Sequence, residues 1–202
     1  ILWVFYMFYE LLNLFALVGF AIVADAIYLE VVYAPVIKSL DSFDEKAIDV
    51  YGEMMMTLLE TGNAAEATVW KVPVEEDLTV EDVELAIRAV ANELNIKNVG
   101  ELPLSTQVEA MSGKKSRFFK IYMFCNALTA AQMLEYSDAY SAYLPCRVSL
   151  VEDKQGKLWL YSLNMDAMIY GGKPLPAALK EEAMGVKKII LEIMNRGAEG
   201  DF

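Results

Sequence analysis

The sequence predicts an α+β chain: a single N-terminal transmembrane helix, then one small domain with helices packed on an antiparallel or mixed sheet. Three observations predict it. Residues 1–24 read ILWVFYMFYELLNLFALVGFAIVA, with Glu10 as the sole charge. Further on, short runs of β-branched and aromatic residues alternate with runs whose apolar residues recur at helical spacing. The order after residue 65 is strand, helix, short helix, strand, helix, strand, strand, helix, which suits helices laid on one sheet.

The leading segment is long enough to cross a bilayer, which takes about 20 mostly apolar residues. Fourteen of its 24 residues are Leu, Ile, Val or Phe. At about −0.3 to −0.6 kcal/mol each they outweigh the roughly 2.5–3.5 kcal/mol of one central acid. A signal peptide is the alternative. The apolar run exceeds the usual core of about 7–15 residues, and the run carries no basic n-region. Ala24-Asp25-Ala26 is a poor cleavage match. A retained anchor over residues 1–34 is therefore expected, with Pro35 ending the helix near Ala34. Residues 35–65 form a connector and an amphipathic helix, and residues 66–202 the α+β domain.

Within the anchor, Glu10 and Asn13 lie one turn apart and share a stripe with Leu14, Leu17, Ala21 and Ala24. Polar and small residues on one face of a membrane helix mark a helix–helix contact. An intramembrane acid is a functional-site candidate by default. The alternative is that Glu10 is protonated or reaches toward the interface. A real contact implies integral membrane subunits as partners through residues 1–24, besides the lipid bilayer. The flank beyond carries Asp25, Glu30, Asp41 and Asp44 against Lys38, which places the following domain away from the cytoplasm.

Ser42 is expected to cap a helix over Phe43–Thr61, ended by Gly62. Its buried stripe is Ala47, Val50, Tyr51, Met54 and Leu58. Ala67–Val74 reads as a strand, with Pro73 putting its end at a sheet edge or bulge. Thr79 caps the next helix with Asp82 three residues on, and Val83, Ile87, Val90 and Leu94 face inward. Asn95–Gly100 reads as a connector. Pro103–Met111 is a short helix with Gly113 beyond its end. Lys114, Lys115 and Arg117, the basic cluster, flank a strand in solvent. Phe118–Cys125 is a central strand, and Thr129 to about Tyr140 a helix. Arg147–Glu152 and Leu158–Leu163 are strands joined at Asp153-Lys154-Gln155-Gly156, a hairpin signal. A last helix runs from about Pro176 to Asn195, with Leu179, Ala183, Val186 and Ile190 on its apolar face.

The composition excludes several chemistries. The net charge of −12 argues against nucleic acid and against docking on anionic lipid heads. The chain has no histidine. That removes Ser-His and Cys-His pairs, histidine zinc sites and histidine haem ligation. No CxxC or CxxCH occurs, and Gly171-Gly172-Lys173-Pro174 lacks phosphate-loop spacing. No cofactor and no metal site is expected. Met54-Met55-Met56 invites a copper reading, but consecutive helical residues point about 100° apart and cannot close on one ion. The carboxylate clusters Glu75-Glu76-Asp77, Glu152-Asp153 and Glu181-Glu182 read as solvated turns and helix starts. Asn164, Asp166 and Tyr170 follow the last strand and can line a pocket.

Cys125 and Cys146 are the remaining candidates for chemistry. Parallel strands would hold them about 20 Å apart, and antiparallel strands would bring them together. Either they are buried and inert, or a cationic neighbour or helix N-terminus activates a thiol.

The stretches NVGELPLSTQVEAMSG, FFKIYMFCN, YLPCRVSLVEDKQGKLWLYSLNMD and NRGAEGDF resemble the bacterial family catalogued as domain of unknown function 302, over about residues 66–200. The FCN and PCR elements together carry the likeness. The resemblance implies a small α+β domain, often secreted or membrane-attached, in bacteria with sulfur-, methane- or light-driven energy metabolism. It lends no catalytic residues. The expected function is a non-catalytic single-pass accessory subunit of a larger energy-transducing membrane complex. It would sit in the bacterial inner membrane with its soluble domain on the periplasmic side. The alternative is a membrane-anchored thiol or sulfur-handling enzyme using Cys125 or Cys146. A third reading is copper delivery through a Met-rich surface.

Overall fold

The computed structural model describes residues 2–201. The chain divides into two compact units, residues 1–43 and 44–202.

The first unit is helix α1 (Leu2–Leu40), 39 residues long. Tyr9–Leu40 is long and apolar enough to cross a membrane. Every side chain described in α1 is exposed, including Phe15, Leu17 and Phe20. Pro35 does not end the helix as the sequence suggested. Proline removes one backbone donor, and the turns beyond it hold, with Ser39 Oγ donating to the Pro35 carbonyl at 2.8 Å. Ser42 is not a cap either. Its hydroxyl turns back to the Ser39 carbonyl at 2.6 Å.

The second unit begins with α2 (Ala47–Thr61), which starts later than expected because Asp44, not Ser42, orders its entry. The Asp44 carboxylate accepts from the Lys46 amide at 3.1 Å. Gly62 ends α2 in the left-handed conformation, φ 65°. A short helix α3 (Ala64–Ala67), capped by Asn63, leads into β1 (Val69–Pro73). Helix α4 (Val80–Glu93) starts in a reciprocal capping box of Thr79 and Asp82. Then follow β2 (Lys97–Leu102), α5 (Leu104–Ser112), β3 (Phe119–Cys125), α6 (Ala127–Tyr136), a 3-10 turn over Asp138–Tyr143, and the hairpin of β4 (Cys146–Glu152) and β5 (Leu158–Leu163). A one-turn helix α7 (Asp166–Tyr170) and the long α8 (Ala177–Glu199) complete the unit.

The strands form one antiparallel sheet in the order β1-β5-β4-β3-β2. One expectation is corrected here. Residues 97–102 are an edge strand, where a connector over Asn95–Gly100 was expected. Strand β3 is central as expected, paired with β2 on one side and β4 on the other. Pro73 lies at the end of edge strand β1, where a missing amide costs no ladder bond.

Helices α4 and α8 pack side by side over one sheet face. Tyr122, Phe124, Val148, Leu150 and Leu160 point toward them and are fully buried. Val83, Ile87 and Val90 from α4 and Ile190, Ile193 and Met194 from α8 fill the space between. Gly197 permits the close approach. A β-carbon there would lie 2.9 Å from Ile87 Cγ1 and 3.5 Å from Leu160 Cδ1. All buried residues described belong to the second unit.

A charged cluster ties α4 to β2 and β3. Arg88 donates twice to Glu101, at 2.9 Å each. Lys120 Nζ lies 2.8 Å from Glu101 and 2.7 Å from Glu84. The Tyr122 hydroxyl also donates to Glu84. The bond from Arg88 holds the Glu101 carboxyl down at about 2, against the pull of burial. A folded-state value below the unfolded one of about 4.3 stabilises the fold above about pH 4.3. That stability is lost as pH falls toward 2. Melting midpoints should therefore drop steeply between about pH 4.3 and 2, and Glu101→Gln should flatten that slope. An unchanged slope in the variant would show that Glu101 does not carry it.

Candidate functional site

Antiparallel pairing of β3 and β4 settles the position of the cysteines. Phe124 pairs with Cys146, so Cys125 and Cys146 sit at the same end of the sheet. Both are free and partly buried. They line one cavity of about 30 Å³, closed by α6, the 3-10 turn, α7 and α8. That space suits about one or two water molecules, not an organic substrate.

Asn126 shapes the rim. Its side chain caps α6 by accepting from the Leu128 and Thr129 amides at 3.1 and 3.3 Å. Thr129 Oγ1 donates to Glu182 at 2.9 Å, and the Tyr140 hydroxyl donates to the Met168 carbonyl at 3.2 Å. The polar groups at these positions are thus committed to the fold.

Burial pushes the Cys146 thiol up to about 11, with Cys125 adding to the rise and Arg147 opposing it. Burial also raises Cys125. Both sulfurs are protonated at neutral pH, the reverse of an activated nucleophile. Cys125 does precede a helix, but Asn126 takes the first free amides.

Asn164, Asp166 and Tyr170 are near one another but serve the fold. Asn164 Oδ1 accepts from the Asp166 amide at 2.8 Å. Asp166 pairs with Lys187. The Tyr170 ring is buried beneath the ammonium groups of Lys46, Lys180 and Lys187, which lie 5.1, 5.1 and 5.7 Å from its centroid. Beside it, Lys180 pairs with the buried Asp44 carboxylate and lowers its pKa. Gly171 accepts from the Tyr51 hydroxyl at 2.6 Å, which draws Tyr51 to the surface rather than into the expected buried stripe. Gly171 has no room for a side chain, since a β-carbon would sit 2.3 Å from the Ala167 carbonyl oxygen.

On α1, Glu10, Asn13, Leu17, Ala21 and Ala24 are all exposed. Met55 and Met56 on α2 are exposed while Met54 is half-buried, so the three thioethers do not converge. No group of three or more carboxylates and cysteines suited to a metal occurs among the described residues. The sequence missed the contribution of Met133, Met165 and Met168 to the cysteine cavity. Their apolar spacing reads only as core, and strand pairing is what brings them to the thiols.

No curated protein is similar to this chain. The crystal structure of an uncharacterized conserved DUF302 protein from Bacillus stearothermophilus shares its fold. The TM-score is 0.52 at 16% sequence identity, over 64% of this chain and 97% of that one. The family model described as "Domain of unknown function DUF302" matches residues 70–196. The chain belongs to the DUF302 family.

Proposed function

We propose that this protein is a non-catalytic, single-pass accessory subunit of a larger bacterial membrane complex. Its acidic domain is held at the membrane surface, on the periplasmic side of the inner membrane. The observation that carries this reading is α1, a 39-residue helix whose described side chains all lie exposed. Exposed Phe15, Leu17, Phe20 and Ile22 need lipid or other helices around them. Glu10 and Asn13, one turn apart on that surface, need polar partners within a bilayer.

The cysteine cavity supports a subunit more than an enzyme. A thiol-using enzyme needs thiolate, and burial keeps both sulfurs protonated. The scarcity of basic residues just beyond the apolar run, where Lys38 is the first, favours the periplasmic orientation.

The test is recovery of partner subunits from gently solubilised membranes. Glu10→Leu should lower co-purification by about 3- to 30-fold, matching one interhelical polar contact of roughly 0.6–2 kcal/mol. Undiminished recovery overturns the role given to Glu10.

A further inference from the structure

Helix α2 carries two apolar stripes. One, around Ala47 and Val50, is buried in the domain. The other faces outward. Ile48, Met55, Met56 and Leu59 are each more than half exposed, and helical spacing puts them on one side, with Gly52 between them. Asp49, Glu53 and Glu60 run along one edge of this stripe and are exposed. No basic residue occurs in α2. The helix lies outside the residues that match the family model, so the shared fold does not account for its second stripe.

The open face of the sheet, away from α4 and α8, has the opposite charge. Strand pairing sets Phe119, Val151 and Trp159 in one row across it, and Ile121, Ser149, Tyr161 and Lys71 in the next. None of these side chains is buried, and none belongs to the core. Lys71 Nζ lies 4.3 Å from the Trp159 ring centroid and 5.7 Å from that of Tyr161. Arg147, two residues before Ser149 on β4, is exposed on the same side. Among the described residues, no carboxylate occupies a strand position on this face. Asp153, in the turn between β4 and β5, reaches its edge but accepts from the Trp159 indole at 2.9 Å. In a chain of net charge −12, an apolar face edged by cations alone selects an acidic partner surface.

We propose that this open sheet face docks α2 of a second copy of the chain. The outward stripe of the helix covers Phe119, Val151, Trp159 and Tyr161, while Glu53 and Glu60 meet Lys71 and Arg147. The helix is about 22 Å long and five strands are about 19 Å across, so one helix spans the sheet. It stays seated on its own domain, held by Val50 and by the bond from the Tyr51 hydroxyl to Gly171. Its acidic edge disfavours anionic lipid heads as the cover for the same stripe. Helix and sheet are different surfaces, so the contact runs head to tail from copy to copy, as a ring or an open chain. It does not depend on what surrounds α1.

The test is sedimentation of the full chain in density-matched detergent over a range of concentrations. The expected result is growth beyond the monomer as concentration rises. Glu53→Lys with Glu60→Lys, and separately Lys71→Glu with Arg147→Glu, should each weaken self-association about 10-fold or more, because like charges then face each other. An equimolar mixture of the two variants should regain the size of the unsubstituted chain. In it each reversed helix meets a reversed sheet, and each unchanged helix an unchanged sheet. Carbodiimide coupling of the unsubstituted chain should yield a dimer joined through Lys71 and either Glu53 or Glu60, and it needs no variant to fold. A monomer at every concentration, with the α2 stripe left to lipid or to another protein, overturns the proposal. So does association that both reversals leave unchanged, or that mixing fails to restore.

Discussion

Phe124→Ala is expected to cost the domain about 3–5 kcal/mol, as large-to-small changes of a fully buried aromatic do. Phe124 has no exposed surface and pairs across β3–β4 with Cys146. Its ring separates the core beneath α8 from the cysteine cavity that it also lines. The deletion leaves a void that the neighbouring strands cannot close, because β4 on one side and β2 on the other fix β3 in register. A loss of that size is a large share of a typical stability of about 5–15 kcal/mol. It should lower the melting midpoint by on the order of 10 °C. Phe119→Ala is the comparison. Phe119 lies on the opposite sheet face and is only half-buried, so its loss should cost clearly less. Equal costs in chemical denaturation would show that the helix-covered face is not the core.

A chain that starts at Asp44 should fold without residues 1–43 and stay in aqueous solution. Every described buried residue lies in the second unit, from Asp44 and Ala47 to Ala198. Its ordering contacts are internal. The Asp44 amide donates to the Gly172 carbonyl at 2.7 Å, and the Asp44 carboxylate pairs with Lys180. Truncation removes the 22 large apolar side chains described as solvent-facing on α1. Circular dichroism should retain the mixed helix and sheet signal with a cooperative melt. An unfolded or aggregated fragment would show that α1 contributes to the domain's own core.

Much of the fold was legible because local signals agreed with one another. Thr79 with Asp82 marked the start of α4, Gly62 and Gly113 marked helix ends, and Asp153 to Gly156 marked the hairpin. The edge strand β2 was not legible. Its sequence, Lys97 to Leu102, contains Gly100 and Glu101 and shows no clean alternation. Its pairing is set instead by β3. At Gly100 a β-carbon would sit 2.7 Å from Met123 Cε, the movable end of that side chain. Such a close approach is invisible until the partner strand is known.

The site was legible only in its parts. Cys125 and Cys146 stood out by type, but their placement at one end of the sheet depended on antiparallel pairing, a long-range property that no local spacing encodes. The three methionines of the cavity looked like ordinary core. Conversely, Asn164, Asp166 and Tyr170 looked like pocket residues because polar groups after a strand often line sites. Here Lys187 neutralises Asp166, and the Asn164 side chain orders the entry to α7.

The central claim is that α1 is satisfied outside its own chain, by lipid and partner helices. An alkaline carbonate wash of membranes from cells making the full chain tests it most directly. The protein is predicted to remain in the membrane pellet, as only a bilayer-embedded segment does. Release of the full chain into the supernatant, folded and monomeric, would contradict it.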